Sequence, residues 1–186
     1  MPEIKDRLDS LTARINDDAF LGNKGLSNEV GIHIFCYDPS DELLINHYVQ
    51  RLKSMGNLKA NIIEYDLYDI FLDICNGKKI MDKLPEMEYK KGSKVFLSLV
   101  SKFATPAAFV KRMQADTTPG KDVILVTGVG KVYPYMRTNN ILENLQPLYS
   151  EIPIVVMYPG TYTGQQLIPF NKKELARNYY RAFNII

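Results

Sequence analysis

The chain has little of the two residues that build most metal sites and thiol chemistry. Its 186 residues include two histidines, His33 and His47, and two cysteines, Cys36 and Cys75. No Cys-x-x-Cys or His-x-x-x-His spacing joins them, so no zinc cluster is written in the sequence. Both cysteines lie inside apolar runs, which suits buried free thiols in a reducing compartment better than a disulfide framework. Tryptophan is absent. No apolar stretch reaches the roughly 18–20 residues of a membrane-spanning helix, and Met1 to Asn16 is charged and amphipathic, without the apolar centre of a secretory signal. The expectation is a soluble cytoplasmic protein that does not engage a membrane. Net charge is only +2, which gives no bulk attraction to nucleic acid or lipid.

What is present is ordinary for a globular domain. Apolar residues make up 46% and charged residues 24%, and the length fits one α/β domain, residues 1–186, with a substantial core. Ile4, Leu8, Leu11 and Ile15 recur at helical spacing. Ile32 to Tyr37 reads as a buried strand, followed by a helix start in which Asp38 caps and Pro39 takes the first position. That helix is expected to bury Leu44, Tyr48, Leu52 and Met55 and to stop at Gly56. Asn61 to Tyr65 is a second strand. Asp66 then caps a helix whose Leu67, Ile70, Phe71, Ile74 and Cys75 share one face, closed by Gly77.

Val95 to Phe103 favours helix, and Thr105-Pro106 starts another. Val123 to Thr127 is the clearest strand. A helix is expected from about Pro134 to Leu145, then a strand over Ile154 to Tyr158, and a last strand within Tyr179 to Ile186. Apolar strands alternating with helices predict a mostly parallel sheet covered by helices on both faces.

Ligand sites of such sheets collect beyond the carboxyl ends of the strands. After the first strand, Asp38-Pro39-Ser40-Asp41 opposes phosphate: Pro39 has no N–H and the carboxylates repel an anion. Thr127-Gly128-Val129-Gly130-Lys131 has two glycines and a lysine before a helix, but neither Walker spacing nor the third glycine of a dinucleotide fingerprint. Its plainer reading is a tight strand-to-helix turn. Asn23 to Asn28 is more simply a structural loop than an anion cradle, because it precedes a strand. The sequence has no Gly-x-Ser-x-Gly elbow, and nothing local activates Cys36, although His47 could approach it in space. Asp38, Asp41, Glu42, Asp66 and Asp69 could gather at one end of the sheet as a divalent-metal site, but helix capping accounts for most of them. No catalytic, cofactor or metal residues are assigned, and a cryptic nucleotide- or metal-dependent enzyme is the last of three readings.

Charge is uneven along the chain. Lys78 to Arg112 holds nine basic residues against three acids, and Lys172, Lys173, Arg177 and Arg181 follow near the end. Folded onto one face, these could contact DNA or an acidic protein; spread out, they are a solvated surface. Of the twelve tyrosines, Tyr133, Tyr135, Tyr158, Tyr162, Tyr179 and Tyr180 fall in turns. Tyrosine and arginine are enriched at interface hot spots, and tyrosine also packs turns.

These same loops carry a resemblance. Phe20 to Glu29 followed by a strand and Tyr37-Asp38-Pro39, the turn Thr127-Gly128-Val129-Gly130 with Pro134 and Arg137, Tyr158 to Tyr162, and the ending Asn178 to Asn184 together resemble the BrxB family of BREX phage-defence systems. The order holds along nearly the whole chain. Ser27 stands where a glycine is expected, and Val30-Gly31 where Ile-Pro is expected. The resemblance implies a small accessory protein without enzymatic activity, working beside a methyltransferase, a large ATPase and the phosphatase-like PglZ, with PglZ the expected direct partner. By analogy of fold the core looks like a P-loop ATPase stripped of its phosphate loop. The partner-binding candidates are Tyr158, Tyr162, Tyr179, Tyr180 and Arg181. DNA is the alternative partner, through the 78–112 and C-terminal basic segments.

Overall fold

Alternation along three central strands sends their side chains into two separate cores. In the computed structural model, which describes residues 3–23, 31–176 and 182–186, those strands are β1 (Ile32–Tyr37), β3 (Asp122–Thr127) and β4 (Ile154–Tyr162). Ile32, Ile34, Ile124, Val126, Ile154 and Val156 face one core, and Phe35, Tyr37, Val123, Leu125, Val155 and Met157 face the other. Period-two alternation with both sides apolar is what a sheet buried on both faces requires.

Among the described residues the sheet runs β2-β3-β4-β1-β6, with β2 at Asn61–Asp66 and β6 at Phe183–Asn184. All four pairings along this path are parallel. One feature is antiparallel: β4 continues past Tyr158 and pairs with the short β5, Leu167–Pro169. The expected strand over Ile154 to Tyr158 is therefore the first half of a longer one. Gly160 permits this close pairing, because at φ +150° its backbone lies so close to the Ile168 carbonyl that a Cβ would stand 2.2 Å from that oxygen.

The second core is covered by α1 (Ile4–Ile15), the short α2 (Asp18–Leu21) and α3 (Glu42–Ser54). The first is covered by α4 (Leu67–Gly77), α5 (Leu84–Lys91), α6 (Ser93–Val100), α7 (Pro106–Val110), α8 (Val129–Val132) and α9 (Thr138–Leu145). Capping follows the sequence closely. Asp66 accepts from Tyr68 N and Asp69 N, and Thr105 accepts from Ala108 N. Asp38 accepts from Ser40 N, but it caps a single 3-10 turn, Pro39–Asp41, that leads into α3.

Two expectations are corrected. Helix α3 buries Ile45, Tyr48, Val49 and Leu52, whereas Leu44 points outward and Met55 lies beyond the helix end. The apolar run Leu43-Leu44-Ile45 fits more than one stripe, and the sheet selects the one with Ile45. The helix expected from Pro134 begins at Thr138 instead. Tyr133 and Arg137 are extended, and the intervening aromatics are pegged into their neighbours: Tyr135 stacks on Phe71 at 4.7 Å and Tyr133 meets Phe170 edge-on at 5.4 Å. Tertiary packing overrides a proline start signal there. The last strand pairs only Phe183 and Asn184 with β1, and residues 179–181 of that expectation lie outside the described residues.

A tyrosine pins the irregular stretch after α7. Tyr149 Oη donates to Met113 O at 2.7 Å, accepts from Ala115 N at 3.0 Å and meets Tyr65 Oη at 3.0 Å. Each bond satisfies a group that would otherwise be stranded beside the core.

Candidate functional site

Strands β1, β3 and β4 all end on the same side, so the turns after them share one surface. α3 leaves β1 toward one face while the helices after β3 leave toward the other, a topological switch of the kind that opens a crevice in α/β sheets. A cleft of roughly 520 Å³ lies there, bordered by Arg7 of α1, Cys36 to Asp38 at the end of β1, Gly160 to Tyr162 of β4, Asn171, and Ile186.

The polar groups of this cleft are bonded to one another. Arg7 donates to Cys36 O at 2.7 Å, and its guanidinium lies 4.8 Å from the centre of the Phe35 ring. Asp38 accepts from Ser40 N at 2.9 Å and from Ser40 Oγ at 2.6 Å, which holds its carboxyl below the usual range although it is fully exposed. Its other oxygen accepts from Asn171 Nδ2 at 3.3 Å, and Asn171 Oδ1 accepts from Thr161 Oγ1 at 2.7 Å. Burial pushes the Cys36 thiol up to about 12, against the opposing pull of Arg7 and a backbone hydrogen bond from Tyr162. A thiol so poised is protonated at neutral pH and is a poor nucleophile.

The turn after β3 is filled by the protein's own anion. Gly128 has φ +68°, and a Cβ there would come within 2.0 Å of Asp66 Oδ1. Asp66 meanwhile caps α4 and accepts from Lys131 Nζ at 2.7 Å. Burial works against the Lys131 charge, but Asp66 and the further acids Asp69 and Glu42 more than offset it, so its pKa is raised. The space beside the glycine and the charge of the lysine that suggested phosphate are thus already taken by a carboxylate.

Three of the five acids considered for a metal are engaged in the same way. Glu42 accepts from Tyr37 Oη at 2.6 Å, while Asp38 and Asp66 cap helices. Among the described residues no group of three or more His, Cys, Asp or Glu is placed to hold a metal ion. His33 is buried between Phe20 and Phe183 at 4.8 and 5.9 Å, and His47 sits on the exposed side of α3.

The tyrosine candidates are placed unevenly. Tyr158 is only 5% exposed and packs in the first core, so it supports the surface from beneath. Tyr162 is half-buried; its hydroxyl donates to Ala182 O at 2.8 Å and tethers the β4–β5 hairpin to the segment entering β6. Tyr179, Tyr180 and Arg181 lie outside the described residues. What sequence reading missed is the exposure of Leu43, at 76%, and Leu44, at 40%, in the first turn of α3 just after the Asp38 turn, with Ile186 at 38% on the cleft's rim. The surplus of apolar residues at 43–45 was the available signal.

Comparison with known proteins now decides the family. The family model described as "BREX protein BrxB" matches residues 63–185. A protein named BREX protein BrxB from Bacillus cereus (strain H3081.97) is 38% identical over 193 residues, spanning all of this chain and 99% of its own. The chain belongs to the BrxB family. A second BrxB protein, from Escherichia coli O9:H4 (strain HS), is 29% identical over 191 residues, covering all of this chain and 92% of that relative. No solved structure matches the chain. BrxB membership makes it a component of a BREX system, and among its described residues no helix is long and apolar enough to cross a membrane.

Proposed function

We propose that this BrxB protein is a non-catalytic adaptor that docks another BREX component, PglZ first, on the carboxyl-end surface of its sheet. The observation that carries the reading is the exposure of Leu43 and Leu44 in the first turn of α3, which follows the Asp38 turn bordering a cleft whose polar groups already satisfy one another. A reaction centre needs convergent groups free to meet a substrate. Here Asp38, Asp66, Lys131 and Arg7 are engaged internally. A docking surface needs apolar side chains within a polar rim; Ile186 lies in the cleft with the Asp38–Asn171 bridge, and the two exposed leucines follow that turn in the chain. Family membership supports a BREX partner, and the tethered Tyr162 keeps the hairpin in place under it.

Burying two leucine side chains is worth about 3 kcal/mol, roughly a hundredfold in Kd. The test is co-purification of the tagged full chain with PglZ, the ATPase and the methyltransferase, each expressed alone beside it. Capture of PglZ, lost in the Leu43→Glu/Leu44→Glu variant while its melting temperature is kept, is the expected result. A chain that captures none of them overturns the adaptor reading. Capture indifferent to the double substitution overturns the placement of the surface.

A further inference from the structure

We infer that the α5–α6 hairpin is a docking surface for single-stranded DNA, separate from the adaptor surface. From Lys78 to Lys102 the chain carries seven lysines against three acids, a net +4 in a protein whose total is +2, so everything else sums to −2. Of the seven, Lys90 pairs with Glu86. The other six form no ion pair among the described residues, and all six are exposed. The nearby Arg112, in contrast, is committed to Asp73.

The hairpin itself carries Lys90, Lys91 and Lys94 against Glu86 and Glu88, and Lys78, Lys79, Lys83 and Lys102 flank it in sequence. Phe96 anchors α6 edge-on against Tyr135 at 6.1 Å, and Leu84 and Met87 of α5 pack on the first core. Gly92, at φ +74°, turns one helix into the next, and Tyr89 to Val95 form a continuous exposed run. Tyr89 is 91% exposed, with no ring or cation packed on it among the described residues. A tyrosine ring left in water between lysines gains nothing for the fold.

Three properties favour a nucleic acid over an acidic protein. Lysine is depleted at protein–protein interfaces. The exposed apolar area here is one ring and the half-exposed Val95, too little for a protein hot spot. Lysines to meet phosphates with an aromatic face to stack on a base are the parts of a single-strand site. Stacking requires an unpaired base, which selects a single strand over a duplex. Val95 offers an apolar contact of the kind thymine's methyl group makes, which selects DNA over RNA.

The experiment is fluorescence anisotropy of the full chain with a labelled oligothymidylate, a duplex of equal length, an oligouridylate and polyglutamate as competitor, between 50 and 200 mM salt. Four neutralised phosphates give a log–log salt slope of about −3 for a single strand. Lys91→Glu/Lys94→Glu is expected to weaken oligothymidylate at least tenfold and to make the slope shallower by about 1.4. Tyr89→Ala is expected to weaken it about five- to hundredfold while leaving duplex binding unchanged. All three positions are exposed, so melting temperatures should not move. No binding at 50 mM salt, indifference to either variant, tighter binding of oligouridylate, or equal competition by polyglutamate each overturns the inference.

Discussion

Replacing Gly128 by alanine should destabilise the protein through Asp66, a residue 62 positions away in sequence. Two costs combine. A non-glycine residue at φ +68° pays about 1–2 kcal/mol for the left-handed conformation. The new methyl also cannot coexist with Asp66 Oδ1, 2.0 Å from its position, so the carboxylate must leave the N-terminus of α4 and loosen from Lys131. Losing an N-cap costs about 0.5–2 kcal/mol. The partly exposed ion pair adds little. The total of about 2–4 kcal/mol corresponds to a fall in Tm of roughly 5–15 °C for a chain of this size. Thermal melts followed by circular dichroism, with urea titration for the free energies, measure it. The decisive comparison is the same substitution on an Asp66→Ala background. There the collision is gone and only the left-handed cost of about 1–2 kcal/mol remains. A Gly128→Ala protein that melts within 1 °C of the parent, or an identical cost on both backgrounds, refutes the claim that Asp66 fills this turn.

Three further outcomes follow from buried groups. Burial, helped by Arg14, lowers the His33 pKa from 6.5 to about 4, so the unfolded state binds more protons between those values and stability falls as pH drops from about 6.5 to about 4. The loss is about 3 kcal/mol by linkage, and His33→Phe should flatten that part of the urea-measured profile; an unchanged slope contradicts it. Burial raises both thiols, Cys36 to about 12, so a chromogenic disulfide at pH 8 should label almost none in the native protein and two after unfolding in urea. Rapid native labelling counts against this site description. Tyr149→Phe strands Met113 O and Ala115 N and should cost about 1–3 kcal/mol in urea denaturation; a neutral result means that water replaces the hydroxyl.

The parts of the fold set by local chemistry were legible in the sequence. Asp66 and Thr105 cap where they were expected to, and the alternation in β1, β3 and β4 announced a sheet with two buried faces. Misreadings arose where tertiary packing chose between locally equivalent options. Leu43, Leu44 and Ile45 are all good helix residues, and only the sheet determines that Ile45 turns inward. Pro134 signals a helix start, but rings from Phe71 and Phe170 hold that stretch open. The β4–β5 hairpin gave no alternation signal, because its closeness rests on a single glycine at 160. For the site, the Asp38 cap on the turn after β1 was readable in the sequence. That Asp66 fills the second glycine turn was not readable, since strand pairing alone brings 66 beside 127.

The central claim is that the carboxyl-end surface joins this BrxB protein to its BREX partner. Isothermal titration of purified PglZ into the full chain tests it most directly. Saturable binding is expected, weakened about a hundredfold in the Leu43→Glu/Leu44→Glu protein and unchanged by Lys91→Glu/Lys94→Glu. Equal affinity for the parent and the leucine variant, or loss of binding only in the lysine variant, would contradict it.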